Sequence, residues 1–131
     1  MPTFKLNLKN ESSESLEEQI IKFEKEFILN SLQKLFLGEL NGINVFSVNG
    51  DFVKFNYSMS FVEGGHYLVY NFIPEKEIWI DNDIESKDYA PILLHELNEL
   101  IRMRDLNEDY ETAHKNSNKI ELNYRLKRMG L

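Results

Sequence analysis

The residues best placed to do chemistry are the run His95-Glu96-Leu97-Asn98-Glu99, followed by Ala113-His114 and then Glu121. Only three histidines occur in the 131 residues, and two of them stand here beside carboxylates. On a helix, residues four apart share a face, so His95 and Glu99 project side by side. An imidazole and a carboxylate at that spacing can grip one divalent metal ion. A glutamate next to the first ligand, here Glu96, is placed to act as a general base.

Two helices must position these groups. The pattern turns helical after Asp81-Asn82-Asp83. Asp88 is the predicted cap and Pro91 falls in the first turn, where its missing N–H costs nothing. Leu93, Leu94, Leu97, Leu100 and Ile101 form the apolar face, and His95, Glu99 and Arg102 lie outside it. Leu106-Asn107-Glu108-Asp109 is a short polar connection, and the last helix starts near Asp109 or Tyr110. Its end carries Arg125, Lys127 and Arg128, which suit the helix dipole. So short a link predicts an antiparallel hairpin. With the turn centred there, Glu99 is level with His114, His95 with Asn118, and Glu121 lies about one turn beyond. His95, Glu99 and His114 can then converge as three protein ligands with an open fourth position, the arrangement of a catalytic zinc ion. Glu121 is expected as a further ligand or as the acceptor that orients a histidine ring.

Upstream, Phe4, Leu6 and Leu8 alternate with polar residues and predict a strand. Ser15 with Glu18 reads as a capping box, opening one long helix from 15 to 37 that stops at Gly38. Phe23, Phe27 and Phe36 are its expected core anchors. Residues 43–48 predict a short strand and Asn49-Gly50 a hairpin turn. Val53, Phe55, Tyr57, Met59 and Phe61 alternate with polar residues as a further strand. Glu63-Gly64-Gly65 then turns the chain into a strand from His66 to Ile73, which Pro74 ends. Ile78-Trp79-Ile80 forms a last short strand ending at Asp81. The expected fold is a single α+β domain over residues 1–131: an antiparallel β-sheet packed with a long N-terminal helix and a C-terminal helix hairpin carrying the site.

The segment Leu93–Leu100 resembles the zincin type of metallopeptidase, whose signature is His-Glu-x-x-His on a helix. Glu99 stands where that signature has its second histidine. Zinc, which glutamate can ligate, is the first expectation; an anionic ligand weakens the metal as a Lewis acid and favours harder ions, so manganese or iron is the next. The sheet preceding the helix is also similar to the zincin arrangement. Across residues 61–125, Phe61-Val62-Glu63-Gly64-Gly65-His66, Ile78-Trp79-Ile80-Asp81, His95-Glu96-Leu97-x-Glu99 and Tyr110-x-x-Ala113-His114 with Glu121 resemble a small family of unassigned function in phages and other mobile elements. In a zincin-like arrangement an edge strand lies along the site helix. His66 would then be a fourth ligand or would donate to a developing oxyanion.

Composition narrows the alternatives. With 15 basic and 22 acidic residues the net charge is −7, a field that repels nucleic acid. The lack of cysteine excludes disulfides, thiolate metal sites and thiol catalysis. No apolar stretch approaches the roughly 20 residues of a membrane span, and Met1–Asn10 lacks the apolar core of a signal peptide. These features predict a cytoplasmic protein. Two functions follow. One is a metal-dependent hydrolase, most simply a peptidase, with Glu96 as general base. The other is a noncatalytic metal-stabilised protein-binding module of a phage, virus or mobile element, engaging a host or partner protein. A third arrangement needs no metal, with His95, Glu99 and His114 in a buried hydrogen-bonded network. The apolar helix face from Phe23 to Phe36 would serve a homodimer as well as a core.

Overall fold

The computed structural model describes residues 13–131. In chain order the elements are α1 (Leu16–Leu32), β1 (Leu35–Leu40), β2 (Ile43–Val48), α2 (Gly50–Asn56), β3 (Gly64–His66), β4 (Glu77–Asp81), α3 (Ser86–Asp105) and α4 (Tyr110–Arg128). The fold is α+β, with four helices and one four-stranded sheet among the described residues. The expected strand at Phe4–Leu8 lies outside them.

The sheet runs in the order β1-β2-β4-β3. It is mixed, not antiparallel: β1 with β2 and β3 with β4 are antiparallel, but β2 and β4 are parallel. The departure begins with two Asn-Gly pairs. Asn41 and Gly42, with φ of 53° and 76°, close the β1–β2 hairpin, as a tight turn with both central residues left-handed requires. Asn49-Gly50 instead starts a helix. The Asn49 side chain accepts from the Phe52 amide at 3.2 Å, and the Asp81 carboxylate accepts from the Gly50 amide at 3.1 Å. The expected strand from Val53 to Phe61 is therefore α2 and a turn. Val53 and Phe61 are buried, whereas Phe55 and Met59 point to solvent.

The long helix is likewise shorter than expected. α1 ends at Leu32, where Gln33 turns left-handed and the Leu32 carbonyl accepts from the Asn49 amide at 2.7 Å. Residues 35–40 pair as a strand, and Gly38 sits at its register shift. Phe36 is thus no core anchor: it lies 55% exposed on the edge strand, edge-on to Phe46. The strand expected from His66 to Ile73 stops at His66, because the amides of Val69 and Tyr70 turn back onto the His66 carbonyl.

Alternation along β2 and β4 gives the sheet two apolar faces. Val48 and Trp79 join Leu32, Val53, Phe61 and Ile73 on one face. Ile43, Val45, Ile78 and Ile80 join Ile92 and Leu100 of α3 on the other. α3 starts earlier than predicted, with Glu85 in the N-cap position but making no side-chain cap bond, so Asp88 is within its first turn and Pro91 in its second. Pro91 has no N–H for the Lys87 carbonyl four residues back. Arg128 donates to that carbonyl at 3.2 Å instead. No helix among the described residues is long and apolar enough to cross a membrane.

Candidate metal centre

α3 and α4 pack as the expected antiparallel pair, and small residues set how close they come. Ala113 and Ser117 of α4 are fully buried against α3. Ser117 and Arg102 both donate to Asn98 Oδ1, at 3.0 and 2.8 Å, and Arg102 reaches Glu108 at 3.1 Å. These bonds hold the register that brings the site residues together.

His95 and Glu99 emerge from α3 toward α4 and are both buried, with 6% and 2% exposure. Glu99 Oε2 lies 3.2 Å from His95 Nε2 and 2.9 Å from His114 Nδ1, and the two ring nitrogens are 3.3 Å apart. Three potential ligand atoms therefore form a nearly equilateral triangle. Ligands about 2.0–2.1 Å from a common centre at tetrahedral angles sit roughly 3.3 Å from one another. The observed edges fit that figure, so this cluster could hold a metal ion. His66, Glu96 and Glu99 form a second cluster whose ligand atoms lie within 4.8 Å of one another.

Each sequence-predicted residue has a definite place. His66 on β3 is fully buried, with Nε2 2.9 Å from Glu99 Oε1. Glu121 lies behind His95: its Oε1 is 3.0 Å from Nδ1, the ring nitrogen opposite the triangle. The two atoms are close but off the line of a hydrogen bond, and Nδ1 is buried without another partner. Glu121 thus stands on the outer side of His95 and not at the point where the other three meet. Its Oε2 is held by Arg125 Nε at 3.0 Å, and Arg125 Nη1 binds Asp88 at 2.7 Å. Glu96 borders two cavities, of about 150 and 270 Å3, that share His114 and Val62 as walls.

The two glycines before His66 permit close packing more than turning. A Cβ on Gly64 would meet the Trp79 carbonyl at 3.1 Å and Ile92 at 3.3 Å. A Cβ on Gly65 would meet the Tyr70 ring at 2.6 Å. Only bare backbone lets β3 lie this close to α3 on one side and to Tyr70 on the other.

The charges respond to this crowding. Burial alone would raise the Glu99 carboxyl, but hydrogen bonds from His66, His95 and His114 push it down to about 2. Burial, and then the neighbouring Glu99 carboxylate, pushes Glu96 up to about 8. Burial disfavours the ionised His95 ring, yet Glu99, Glu96 and Glu121 outweigh it and raise its pKa. The centre is rich in carboxylates that a cation would relieve.

Tyr110 was visible to sequence reasoning only within the wider resemblance, yet it stacks on His114 with centroids 5.3 Å apart and lines the smaller cavity. Its signal was the spacing Tyr110 to His114, four residues on one helix face. Comparison of the chain with protein-family models, with curated proteins and with solved structures finds no match.

Proposed function

We propose that this chain is a divalent-metal-binding protein of zincin-like design and a metal-dependent hydrolase, most simply a peptidase. His95, Glu99 and His114 hold the metal, with zinc the first choice and manganese or iron the alternatives for a set that includes a carboxylate. The observation that carries the proposal is the triangle of His95 Nε2, Glu99 Oε2 and His114 Nδ1, with edges of 3.2, 2.9 and 3.3 Å. The Glu121 carboxylate beside Nδ1 of His95 draws the ring proton to that nitrogen and leaves Nε2 with a lone pair for a cation. When bound, the ion would polarise a carbonyl and acidify water. Glu96, at the shared wall of both cavities, takes the proton from the attacking water and returns it to the leaving amine. In the metal-free protein burial holds the Glu96 carboxyl up to about 8, and a neighbouring cation would draw it lower, toward the range in which it is a base at neutral pH.

One observation favours the noncatalytic alternative. The two cavities, at about 150 and 270 Å3, are smaller than the roughly 300–1,000 Å3 of common ligand pockets. In that case the ion braces α3 against α4 in a protein-binding module. Elemental mass spectrometry of the natively purified protein beside a His95→Ala variant tests the metal. About one ion per chain, lost on substitution, is the expected result, and no metal in either sample together with no thermal shift on adding zinc, manganese or iron would overturn the proposal. Peptide hydrolysis that disappears in Glu96→Gln while the metal remains supports the hydrolase. Metal without hydrolysis of any peptide supports the module.

A further inference from the structure

His66 approaches Glu99 through a different oxygen from the other two rings. Its Nε2 lies 2.9 Å from Oε1, whereas His95 and His114 face Oε2. The other nitrogen, Nδ1, accepts from the Leu68 main-chain amide at 3.3 Å. An amide N–H can only donate, so Nδ1 must present a lone pair. The neutral ring then carries its proton on Nε2 and donates it to Oε1. A histidine that ligates a metal through Nε2 needs the opposite tautomer, with its proton on Nδ1. The Leu68 amide opposes that tautomer, and the ring is fully buried, so solvent cannot take over the bond.

We propose that His66 is a positioning residue and not a ligand: its Nε2–H occupies Oε1 of Glu99, so that Glu99 offers a single oxygen, Oε2, to a cation shared with His95 and His114. The proposal rests on the metal-binding reading of those three residues. It also fixes the count. Glu96 and His66 do not complete a second site, although their atoms lie within 4.8 Å of Glu99, and the centre takes one ion.

The decisive measurement is the imidazole nitrogen–proton correlation spectrum of the zinc-loaded wild-type protein, with the His66 signals identified by their loss in His66→Gln. The expected pattern is a protonated Nε2 and an unprotonated, metal-free Nδ1, at one zinc per chain. A zinc-bound Nε2 with a proton on Nδ1, or two zinc ions per chain falling to one in Glu96→Gln, would overturn the assignment. A wild-type protein that takes up no zinc would overturn the metal reading itself, which is a different outcome. A variant pair tests the role. His66→Leu should bind zinc about 10–100-fold more weakly, and His66→Gln, whose side-chain amide can still donate to Oε1, should recover most of that loss. With cobalt in place of zinc, His66→Leu frees Oε1 to bind as well, and the visible absorption should weaken from a four-coordinate to a five-coordinate intensity. Wild-type affinity and spectrum in His66→Leu, or no recovery in His66→Gln, would overturn the positioning role. If His66→Leu does not fold, the wild-type spectrum and His66→Gln still decide.

Discussion

Glu96 and Glu99 are carboxylates one helix turn apart whose pKa values are driven in opposite directions, to about 8 and about 2. The stability of the metal-free protein follows from the signs. Glu99, lowered from its ordinary 4.5, contributes stability above that value that is lost as the pH falls toward 2. Glu96, raised from 4.5, contributes stability below that value that is lost as the pH rises through 8. His95, raised from 6.5, also loses its contribution on the alkaline side. The metal-free melting temperature should therefore be highest near about pH 5 and fall toward pH 8. Glu96→Gln, which stays neutral throughout, should flatten that fall in calorimetric scans. Added zinc should stabilise more strongly as the pH rises, because its ligand rings must first lose protons. The positions of these residues were legible in the sequence, since spacing on two helices joined by a short link determines which side chains meet. Their protons were not legible. The tautomer of His66 depends on the Leu68 amide, and the place of Glu121 behind His95 depends on Arg125 and Asp88. Those contacts exist only after packing.

At the scale of elements, the glycines that admit close approach are the sensitive points. Gly50→Ala would drive a methyl group to 2.2 Å from the Asp81 carboxylate, which also caps the amides of Gly50 and Asp83. A destabilisation of about 1–3 kcal/mol is expected in denaturant melts. Gly64→Ala should cost a similar amount, about 1–3 kcal/mol, and in addition weaken zinc binding, because β3 must move from α3 and carry His66 with it. Arg125→Ala removes a partly exposed link between α3 and α4. Its stability cost in denaturant melts should be no more than about 1 kcal/mol. The sequence was clear wherever a local signal had one meaning. Ser15 capped α1, Ile43–Val48 was a strand, and the α3–α4 hairpin turned where its link was seen. It misled where one signal had two outcomes. Asn-Gly occurs twice, and only the left-handed pair Asn41-Gly42 makes a hairpin. Asn49-Gly50 became a helix start because Asp81, thirty-one residues away, accepts its amide. Alternation from Val53 to Phe61 could not reveal that contact.

Across the whole molecule the sheet divides two kinds of work. One face packs on α2 and the turns around Phe61 and Ile73, with only Leu32 at the end of α1 reaching it and Phe23 and Phe27 outside the buried core, and the other face packs on α3. The parallel pairing of β2 with β4 depends on a crossover that no local pattern announces, which is why an antiparallel meander was the natural expectation. Among the described residues, β1 forms one edge of the sheet and exposes Leu35, Phe36, Leu37 and Leu40. Such an edge invites pairing between chains. Leu37→Lys should raise the temperature at which light scattering first grows, with little change in the melting transition. All the candidate site residues, by contrast, lie between His66 and Glu121, and the three proposed ligands are closer still, with His95 and His114 only 19 positions apart. That proximity has a kinetic consequence. The Leu106–Asp109 link lets α3 and α4 meet early, before the long-range strand pairings close. A cation captured by that pair would already be bound in the transition state, so zinc should accelerate refolding and scarcely slow unfolding. The hairpin would then act as the nucleus around which the sheet condenses, and stopped-flow refolding with and without chelator would show it as a shift of the folding limb alone.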